Sequence, residues 1–308
     1  MRPTLFELFG EGFPSYFTML FVGFFVCTWI TAKLGEKRGI DPSRIVDLGF
    51  FSLIMAVVGS RLGHVLFDGF FLDYVNLCLD PEKVVWPFDA RRCAENGGRW
   101  DVLTSTCHPA ERDCLAWAAV WRGGLTYYGG LALAVPFAAR FFRKHGIPVW
   151  RGVDTIAIVL PLGVAFGRLG CFLAGCCFGE ITDSPLGMSF PPYSPASDKH
   201  AALGHLPSAG LPSLPVYPTQ LFELSGCVAI FLYLWLVRMK RPRFDGWITI
   251  ESLGLYAVLR FGLEFIRDDE RGIYFGMSTS QWLSIAVLVF CVWLYAKRKP
   301  SRAEEQPA

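Results

Sequence analysis

The chain has 308 residues, of which 53% are hydrophobic and 15% aromatic, and its formal net charge is +2. The apolar residues come in long blocks rather than at the spacing of amphipathic helices or strands, which favours an integral membrane protein over a soluble domain. The small net charge argues against nucleic acid as a partner, and no P-loop or dinucleotide-binding glycine pattern in the sequence supports nucleotide use.

Seven stretches are long and apolar enough to cross a bilayer, since a spanning helix needs about 20 mostly apolar residues. They cover approximately residues 13–33, 45–67, 123–142, 152–175, 218–237, 246–266 and 280–296. Basic residues concentrate in the first, third and fifth links and after the last span. Because basic links stay in the cytoplasm, we predict an outside N-terminus and a cytoplasmic C-terminus. The fold class expected is therefore all-α and polytopic, with seven transmembrane helices and a first span that is retained rather than cleaved.

Two of the predicted outer links are long. The link at 68–122 holds four cysteines, which are Cys78, Cys93, Cys107 and Cys114. In an oxidising compartment they predict two disulfides, with three connectivities open, whereas the spacing to His108 does not suit a zinc finger. The link at 179–217 is rich in proline, serine and glycine, and either a lid over a site or a loosely ordered surface loop fits this composition. We predict a single membrane-embedded domain over 1–299 and a disordered tail over 300–308.

Polar and ionisable residues cluster near the predicted outer ends of four spans, and such residues inside a membrane indicate function. They are Arg61, His64 and Asp68 on the second span, Arg168 on the fourth, Gln220 and Glu223 on the fifth, and Tyr256, Arg260, Glu264 and Arg267 on the sixth. Arginines outnumber the carboxylates that face them, and guanidinium groups bind phosphate in a bidentate manner, so we predict an anionic ligand such as a phospholipid. For Arg267 and Asp68, close to the interface, the alternative is that they reach the headgroups and solvent.

Three further cysteines, Cys171, Cys176 and Cys177, lie within the stretch GRLGCFLAGCCFGE at 167–180. Their spacing is not that of a zinc pair, and no histidine lies in the segment, so no metal site is predicted there. Packing as small apolar residues, a disulfide from Cys171 to one of the other two, and a catalytic thiol all fit the sequence.

The chain also resembles the bacterial phosphatidylglycerol–prolipoprotein diacylglyceryl transferase family over nearly its whole length. The matching motifs are YFTMLFVGF at 16–24, GSRLGHVLFDG at 59–69, GRLGCFLAGCCFGE at 167–180, SPLGMSFP at 184–191, YPTQLFE at 217–223 and YAVLRFGLEFIRDDE at 256–270. The resemblance implies transfer of a diacylglyceryl group from phosphatidylglycerol to the lipobox cysteine thiol of a secreted prolipoprotein, with release of glycerol phosphate. It implies an enzyme of the bacterial inner membrane that needs neither a cofactor nor a metal.

Site residues follow from the same resemblance, residue by residue. The implied catalytic residues are Arg168, Arg260, Glu264 and Tyr128. The implied substrate-binding residues are Tyr16, Arg61, His64, Gly167, Gly170, Gly179, Gln220 and Glu223. Among these, Arg168 and Arg260 would hold the phosphate, the glutamates would orient groups or handle protons, and the glycines would permit close backbone approach.

The chain departs from the family pattern at several polar positions. Tyr128 in GGLTYYGG and Tyr217 before Pro218 stand where the family has histidines, and His64 stands where a tyrosine is usual. Cys171 replaces an asparagine and Cys176 a glutamate. A tyrosine can still handle a proton if neighbouring arginines lower its pKa.

Three alternative functions follow from these departures and from the composition. The first is a divergent relative that acts on another lipid or thiol acceptor. The second is a membrane thiol oxidoreductase, suggested by the ten cysteines, although no CxxC pair is present. The third is a transporter or receptor for an anionic lipid, although the sequence contains no internal repeat of the kind that transporters use.

Overall fold

The computed structural model describes residues 4–8, 11–120, 124–268 and 272–298. The tail predicted at 300–308 therefore lies outside the described residues. Contacts within the chain divide it into two compact units, one formed by Met1–Ile45 with Ile147–Ala308 and the other by Val46–Gly146. Each unit is described by itself below.

Helices account for most of the described residues. They are α1 (Ser15–Glu36), α2 (Pro42–Phe67), α3 (Phe71–Leu79), α4 (Ala90–Glu95), α5 (Tyr127–Lys144), α6 (Val149–Ala174), α7 (Pro195–Ala202), α8 (Thr219–Tyr233), α9 (Trp247–Leu263) and α10 (Thr279–Arg298). Short antiparallel hairpins lie before α1 and in two of the links. They pair β1 (Thr4–Leu8) with β2 (Glu11–Pro14), β3 (Gly98–Asp101) with β4 (Thr106–Pro109), and β5 (Ile273–Tyr274) with β6 (Met277–Ser278).

Five helices in the described part of the chain are long and apolar enough to cross a membrane: α1, α2, α6, α10, and α8 together with the π-helical turn that continues it to Arg238. The chain is thus a multi-pass, mostly helical membrane protein, and this part of the prediction is confirmed. Helices α5, with 18 residues, and α9, with 17 residues, coincide with the third and sixth predicted spans. They are not among the helices that are both long and apolar enough to cross a membrane. Seven crossings therefore stay a prediction.

Helix α6 is the centre of the larger unit and packs against α1, α8 and α9, while α10 packs against α9. The buried residues of this core are Leu34, Ile158, Val159, Ile230, Phe231, Leu234 and Ile248. On α1, large apolar side chains at Phe17, Phe21, Phe25 and Trp29 instead form an exposed stripe. Helical spacing of four residues puts these rings on one face, which suits contact with lipid tails.

A buried carboxylate ties the start of α9 to α6. The side chain of Asp154 is fully buried and accepts hydrogen bonds from the backbone N–H groups of Gly246 and Thr249 at 2.8 and 2.9 Å. Arg38 lies 3.7 Å away and balances the charge. Because the first N–H groups of a helix have no partner within it, Asp154 acts as the N-terminal cap that α9 lacks in its own sequence.

In the smaller unit, the four cysteines of the link at 68–122 form two disulfides. Cys78 pairs with Cys114 and Cys93 with Cys107, with Cα–Cα distances of 4.3 and 5.7 Å. The second pair joins α4 to β4, whose neighbour β3 sets Trp100 opposite Cys107. Of the three connectivities open from the sequence, the structure therefore contains the one that closes a short ring of the chain inside a longer one.

The link at 179–217 is packed rather than loose. Phe190, Ala196 and Val216 form a buried cluster with Phe178, and Met188 pairs with Val216 through a backbone bridge. The Ser197 hydroxyl also donates to the backbone oxygens of Ala209 and Leu211. These contacts argue against a loosely ordered surface loop, while a role as a lid stays a prediction.

Candidate functional site

The three cysteines at the end of α6 converge in a tight turn. Helix α6 ends at Ala174, and Gly175 follows in the left-handed conformation at φ 76°. Cys177 is also left-handed, at φ 63°, which is unusual for a residue with a side chain. As a result the chain folds back on itself, and the sulfur atoms of Cys171, Cys176 and Cys177 all lie within 4.8 Å of one another.

Two side chains at the start of α8 hold the cysteine turn in place by donating hydrogen bonds to backbone oxygens of the turn. The hydroxyl of Thr219 donates to the carbonyl of Cys177 at 2.8 Å, and the amide of Gln220 donates to the carbonyl of Cys176 at 2.7 Å. Both side chains are fully buried. Gln220, predicted to bind substrate, therefore supports the cysteine turn directly. The matching role of Thr219 could not be predicted, because no pattern in the sequence singles this residue out.

Two of the predicted glycines allow the protein's own chain to pass close to the site. A Cβ on Gly179 would collide with the carbonyl oxygen of Ile266, which accepts a hydrogen bond from the N–H of Glu180 at 3.0 Å. A Cβ on Gly170 would come within 3.1 Å of the Cα of Tyr16. At Gly167 an added Cβ would make only an ordinary contact, so nothing in the surrounding chain requires a glycine there.

Glu223 lies at the centre of a buried ionic cluster. One of its oxygens is 2.9 Å from Nε of Arg168 and 3.7 Å from Nη1 of Arg267, and the other accepts from the hydroxyl of Tyr256 at 3.0 Å. The carboxylate is fully buried. Two guanidinium groups around one carboxylate leave a formal charge of +1, which suits a negatively charged ligand.

The structure corrects the interface interpretation of Arg267. Its side chain is only 1% exposed and faces Glu223, so it does not reach towards solvent. The short 3₁₀ turn over Glu264–Ile266 redirects the chain after α9, and the extended Arg267 that follows pairs with Gly179 through a backbone bridge. A helix continued through residue 267 would point the Arg267 side chain in a different direction. The interface interpretation assumed such a helix and is therefore wrong.

Arg260, near the end of α9, forms a second ion pair with Glu264 in the 3₁₀ turn that follows. Its Nη2 lies 2.6 Å from Oε2 of Glu264 and donates to the hydroxyl of Ser280 at 3.2 Å. Both charged side chains are nearly buried, at 9% and 7% exposed. These two residues, four apart in the sequence, are therefore paired, and Ser280 on α10 supplies a third partner.

Tyr16, near the start of α1, faces the same region. Its phenol interacts electrostatically with the three cysteines and with Arg168, and the ring is about one-third exposed. Of the nine residues of the larger unit that were predicted for the site, six are thus brought together around the end of α6. They are Tyr16, Arg168, Gly170, Gly179, Gln220 and Glu223.

Within the cysteine turn, the thiols are not equivalent. Hydrogen bonds from Cys171 and Cys176, followed by the nearby guanidinium groups of Arg267 and Arg168, lower the pKa of Cys177 below its ordinary value, although burial acts against them. Hydrogen bonds with Cys171 and Cys177, together with burial, raise the pKa of Cys176. Cys177 is therefore the thiol that ionises first.

In the smaller unit, Arg61 is buried and binds the C-terminal part of the link at 68–122. Its guanidinium donates to the backbone oxygens of Ala116, Trp117 and Gly124 at 2.6, 2.7 and 3.3 Å, and it stacks over the ring of Tyr74. These contacts give Arg61 a structural use. A contact with substrate stays a prediction.

His64 and Tyr128 also belong to this unit. Nδ1 of His64 lies 2.8 Å from the carboxylate of Asp68, one turn further along the chain, and the ring packs on Phe70. Tyr128 is in the first turn of α5 and is 63% exposed, with its ring edge against Tyr127. Its position at the surface of the unit leaves the phenol accessible.

Comparisons with known proteins point to one family. The family profile described as prolipoprotein diacylglyceryl transferase matches residues 3–297. Similar proteins named phosphatidylglycerol–prolipoprotein diacylglyceryl transferase include one from Chromohalobacter salexigens, which is 30% identical over 92% of this chain and 88% of its own length. Another, from Paraburkholderia phymatum, is 32% identical over 87% of this chain and 82% of its own length. A third, from Solidesulfovibrio magneticus, is 29% identical over 94% of this chain and 92% of its own length.

Proposed function

The chain belongs to the prolipoprotein diacylglyceryl transferase family, and from this premise we propose how its residues carry out the transfer. The substrates are phosphatidylglycerol and a prolipoprotein. The sulfur of the acceptor cysteine forms a bond to the terminal glyceryl carbon, and the bond from that carbon to the phosphate oxygen breaks. The electron pair stays on the departing glycerol phosphate, and the thiol proton is removed before or during the attack.

The buried cluster of Arg168, Glu223 and Arg267 carries this proposal. Negative charge grows on the phosphate as the carbon–oxygen bond breaks, and preorganised donors at that place lower the barrier most. Nε of Arg168 is 2.9 Å from Glu223. The planar guanidinium has further N–H donors that can bind a phosphate. The formal +1 charge of the cluster then balances the phosphodiester.

Arg260, in the last turn of α9, and Glu264, in the 3₁₀ turn that follows, would assist. Their pair is nearly buried, and Ser280 holds the guanidinium from the side. We assign Arg260 to the phosphate together with Arg168, and Glu264 to orienting that arginine. Tyr16 lies beside the cysteines and Arg168, and is assigned to the donor headgroup or to the acceptor peptide.

The orientation follows from the distribution of charge. Basic residues in alternate links favour a cytoplasmic C-terminus, so the cysteine turn and the disulfide loop would face the outside of a bacterial inner membrane. Disulfides persist in such an oxidising compartment, which agrees with the two bridges of the outer loop. Seven crossings, with α5 and α9 as the shorter two, fit this arrangement.

Complementation tests the function. The gene for this chain is expressed in a bacterium depleted of its own transferase, and lipoprotein maturation is followed by the mobility and lipid labelling of a reporter lipoprotein. We expect maturation to be restored by the wild-type chain and not by Arg168→Ala. A protein that is inserted and folded but matures no lipoprotein would contradict the assignment, and it would favour a relative acting on another lipid or thiol.

A further inference from the structure

We propose that His64, oriented by Asp68, is the general base that takes the proton from the acceptor thiol. The inference rests on the proposed function, which requires this proton to be removed but names no group that accepts it. The family resemblance implies only a substrate-binding role for His64. Both residues, and the groups around them that are described below, belong to the smaller unit.

The imidazole of His64 is oriented by a carboxylate. Its Nδ1 lies 2.8 Å from Oδ2 of Asp68, and the N–H of Asp68 donates to the carbonyl of His64 at 3.3 Å. An ionised carboxylate only accepts hydrogen bonds, so the proton of the neutral ring lies on Nδ1 and Nε2 carries a lone pair. One nitrogen is thus fixed and the other is available for a proton, which is the arrangement of a general base.

The lone-pair nitrogen of His64 faces backbone rather than a side chain. Gly124 is left-handed, at φ 66°, and a Cβ added to it would collide with Nε2 of the ring. Among the residues that the structure describes, Nε2 has no hydrogen-bond partner, and the side chain of His64 is 15% exposed. The fold therefore does not use this nitrogen, and the glycine keeps the space beside it open.

The groups that face the ring of His64 come from α2, α3 and the chain on either side of α3. Phe70 packs on the ring with 5.0 Å between the ring centroids, and Tyr74 approaches it edge-on at 6.1 Å. The guanidinium of Arg61 is also close, but it donates to backbone oxygens of the link and lies over Tyr74. Asp68 is in direct contact with the ring, so it offsets the positive charge that the ring gains on accepting a proton.

The other histidines of the chain are placed differently. Both ring nitrogens of His108 lie within 2.9 Å of oxygen atoms of the protein, and His200 is fully buried. His145 and His205 form no ion pair with a carboxylate in the described part of the chain. Within those residues, His64 is therefore the one histidine that combines a carboxylate partner with an unused nitrogen.

The same assignment accounts for a departure from the family pattern. His64 stands where a tyrosine is usual, and Tyr128 stands where the family has a histidine, so the two residue types are exchanged between α2 and α5. The two helices cross there almost in backbone contact, because a Cβ on Gly63 would lie 2.9 Å from the Cα of Gly129. An imidazole supplied from α2 can therefore replace one supplied from α5.

The proton transfer balances without a further reactant. The S–H proton of the acceptor moves to Nε2 of His64, the thiolate attacks the glyceryl carbon, and the carbon–oxygen bond breaks towards glycerol phosphate. The imidazolium then loses its proton to water, which returns the ring to its neutral form. Asp68 stays ionised throughout. The step is productive because the thiolate, and not the thiol, is the nucleophile.

The pH dependence of transfer is the first test. His64→Gln should lower transfer to a lipobox peptide by about 10²–10⁴-fold near pH 7. The loss should shrink as the pH approaches about 8.5, where a free thiol ionises unaided. His145→Gln, at the other end of α5, is the matched control and should transfer normally. A loss that is equal at every pH, or near-native transfer by folded His64→Gln, would overturn the base.

A double-mutant cycle tests the pair. Asp68→Asn keeps the size of the side chain but removes its charge, and it should lower transfer about tenfold or more. Combined with His64→Gln it should cause no further loss, because Asp68 acts only through the ring. All variants are compared in detergent at an unchanged thermal midpoint. Losses that add in the double variant would separate Asp68 from His64 and overturn the pair.

Exchanging the two residues tests the position of the base. His64→Tyr should be slow, and adding Tyr128→His should recover transfer by about tenfold or more, because the imidazole returns beside the crossing. A folded double variant that is no faster than His64→Tyr would overturn the exchange between the helices. Absence of transfer by the wild-type chain would contradict the proposed function itself, whereas wild-type transfer that survives His64→Gln would overturn only the base.

Discussion

Nε of Arg168 lies 2.9 Å from Oε2 of Glu223, and the same oxygen lies 3.7 Å from Nη1 of Arg267, so one buried carboxylate holds two guanidinium groups. The carboxylate thereby fixes the direction of both arginines before any ligand arrives. Preorganisation of this kind costs nothing at the moment of reaction, which is why it favours catalysis over simple binding.

Replacing Arg168 by alanine should lower transfer to a lipobox peptide by about 10²–10³-fold, because a donor to the departing phosphate is lost. Lysine should rescue only in part, since it is a point charge without the planar fork. The matched control is Arg151→Ala, near the other end of α6, whose pair with Asp245 is about half exposed. Near-native turnover by folded Arg168→Ala would remove the phosphate contact from the mechanism.

Replacing Arg267 by alanine should also lower transfer strongly, by an amount similar to Arg168→Ala within about tenfold. Its side chain is buried against Glu223, so solvent cannot take its place. The control is Arg91→Ala, whose side chain is 88% exposed and pairs with Glu95 on the surface. Turnover is measured on detergent-solubilised variants whose thermal midpoint is unchanged. Equal turnover of Arg267→Ala and Arg91→Ala would contradict a role of the buried Arg267 in transfer.

The Arg260–Glu264 pair separates catalysis from packing. Changing Arg260 alone should destabilise the protein, because a nearly buried carboxylate loses its partner, and the double change Arg260→Met with Glu264→Leu should restore stability. Thermal unfolding follows this part. If the arginine also contacts phosphate, the stable double variant should still be inactive. Normal turnover in the double variant would reduce the pair to helix packing.

The two disulfides should protect Cys78, Cys93, Cys107 and Cys114 from alkylation in native membranes until they are reduced. Their sequence separations are 36 and 14. Loss of chain entropy then predicts about 4 and about 3 kcal/mol of stabilisation as upper values. Serine replacement of either pair should lower the midpoint of denaturation. Free labelling of all four cysteines without reductant would show that the bridges are absent.

Acidification should loosen the link at 179–217 through His200. Burial lowers the pKa of His200 below its ordinary 6.5, as do His205 and Lys199, while Asp268 acts in the opposite sense. The neutral ring accepts the N–H of Leu214, so its stabilisation is complete above about pH 7 and declines as the pH falls through the folded-state pKa.

Hydrogen exchange over residues 195–216 measures this effect. Exchange should accelerate between about pH 7 and pH 5 beyond the intrinsic chemical trend. In His200→Gln the step should disappear. It should persist in His205→Gln, because that neighbour is exposed. An identical step in both variants would assign the transition to another group.

Much of the architecture can be predicted from hydropathy alone. All seven predicted spans coincide with helices. A segment that crosses a bilayer contacts lipid and so carries a long apolar run, and it becomes a helix because its backbone hydrogen bonds must be made within the segment. The shared face of Arg260 and Glu264 is likewise a matter of helical period. Local rules suffice wherever the chain continues as a helix.

The parts that sequence alone did not predict lie where helices end. The burial of Arg267 depends on a 3₁₀ turn after α9, and the meeting of three cysteines depends on the left-handed Gly175 and Cys177. Asp154 was not singled out, because its partners Gly246 and Thr249 are more than 90 residues further along the chain. Long-range pairing of this kind leaves no periodic signal.

The contacts that fix the cysteine turn have a consequence for biosynthesis. The N–H of Glu180 bonds to the carbonyl of Ile266, and Gly179 pairs with Arg267, so these two partners of the segment after α6 are made only after almost 90 further residues. Translation proceeds at about 5–20 residues per second, which leaves the nascent cysteines without their final neighbours for several seconds. The candidate site is therefore completed late in synthesis, and a chain truncated before Ile266 would lack Arg267, which faces Glu223 in the full protein.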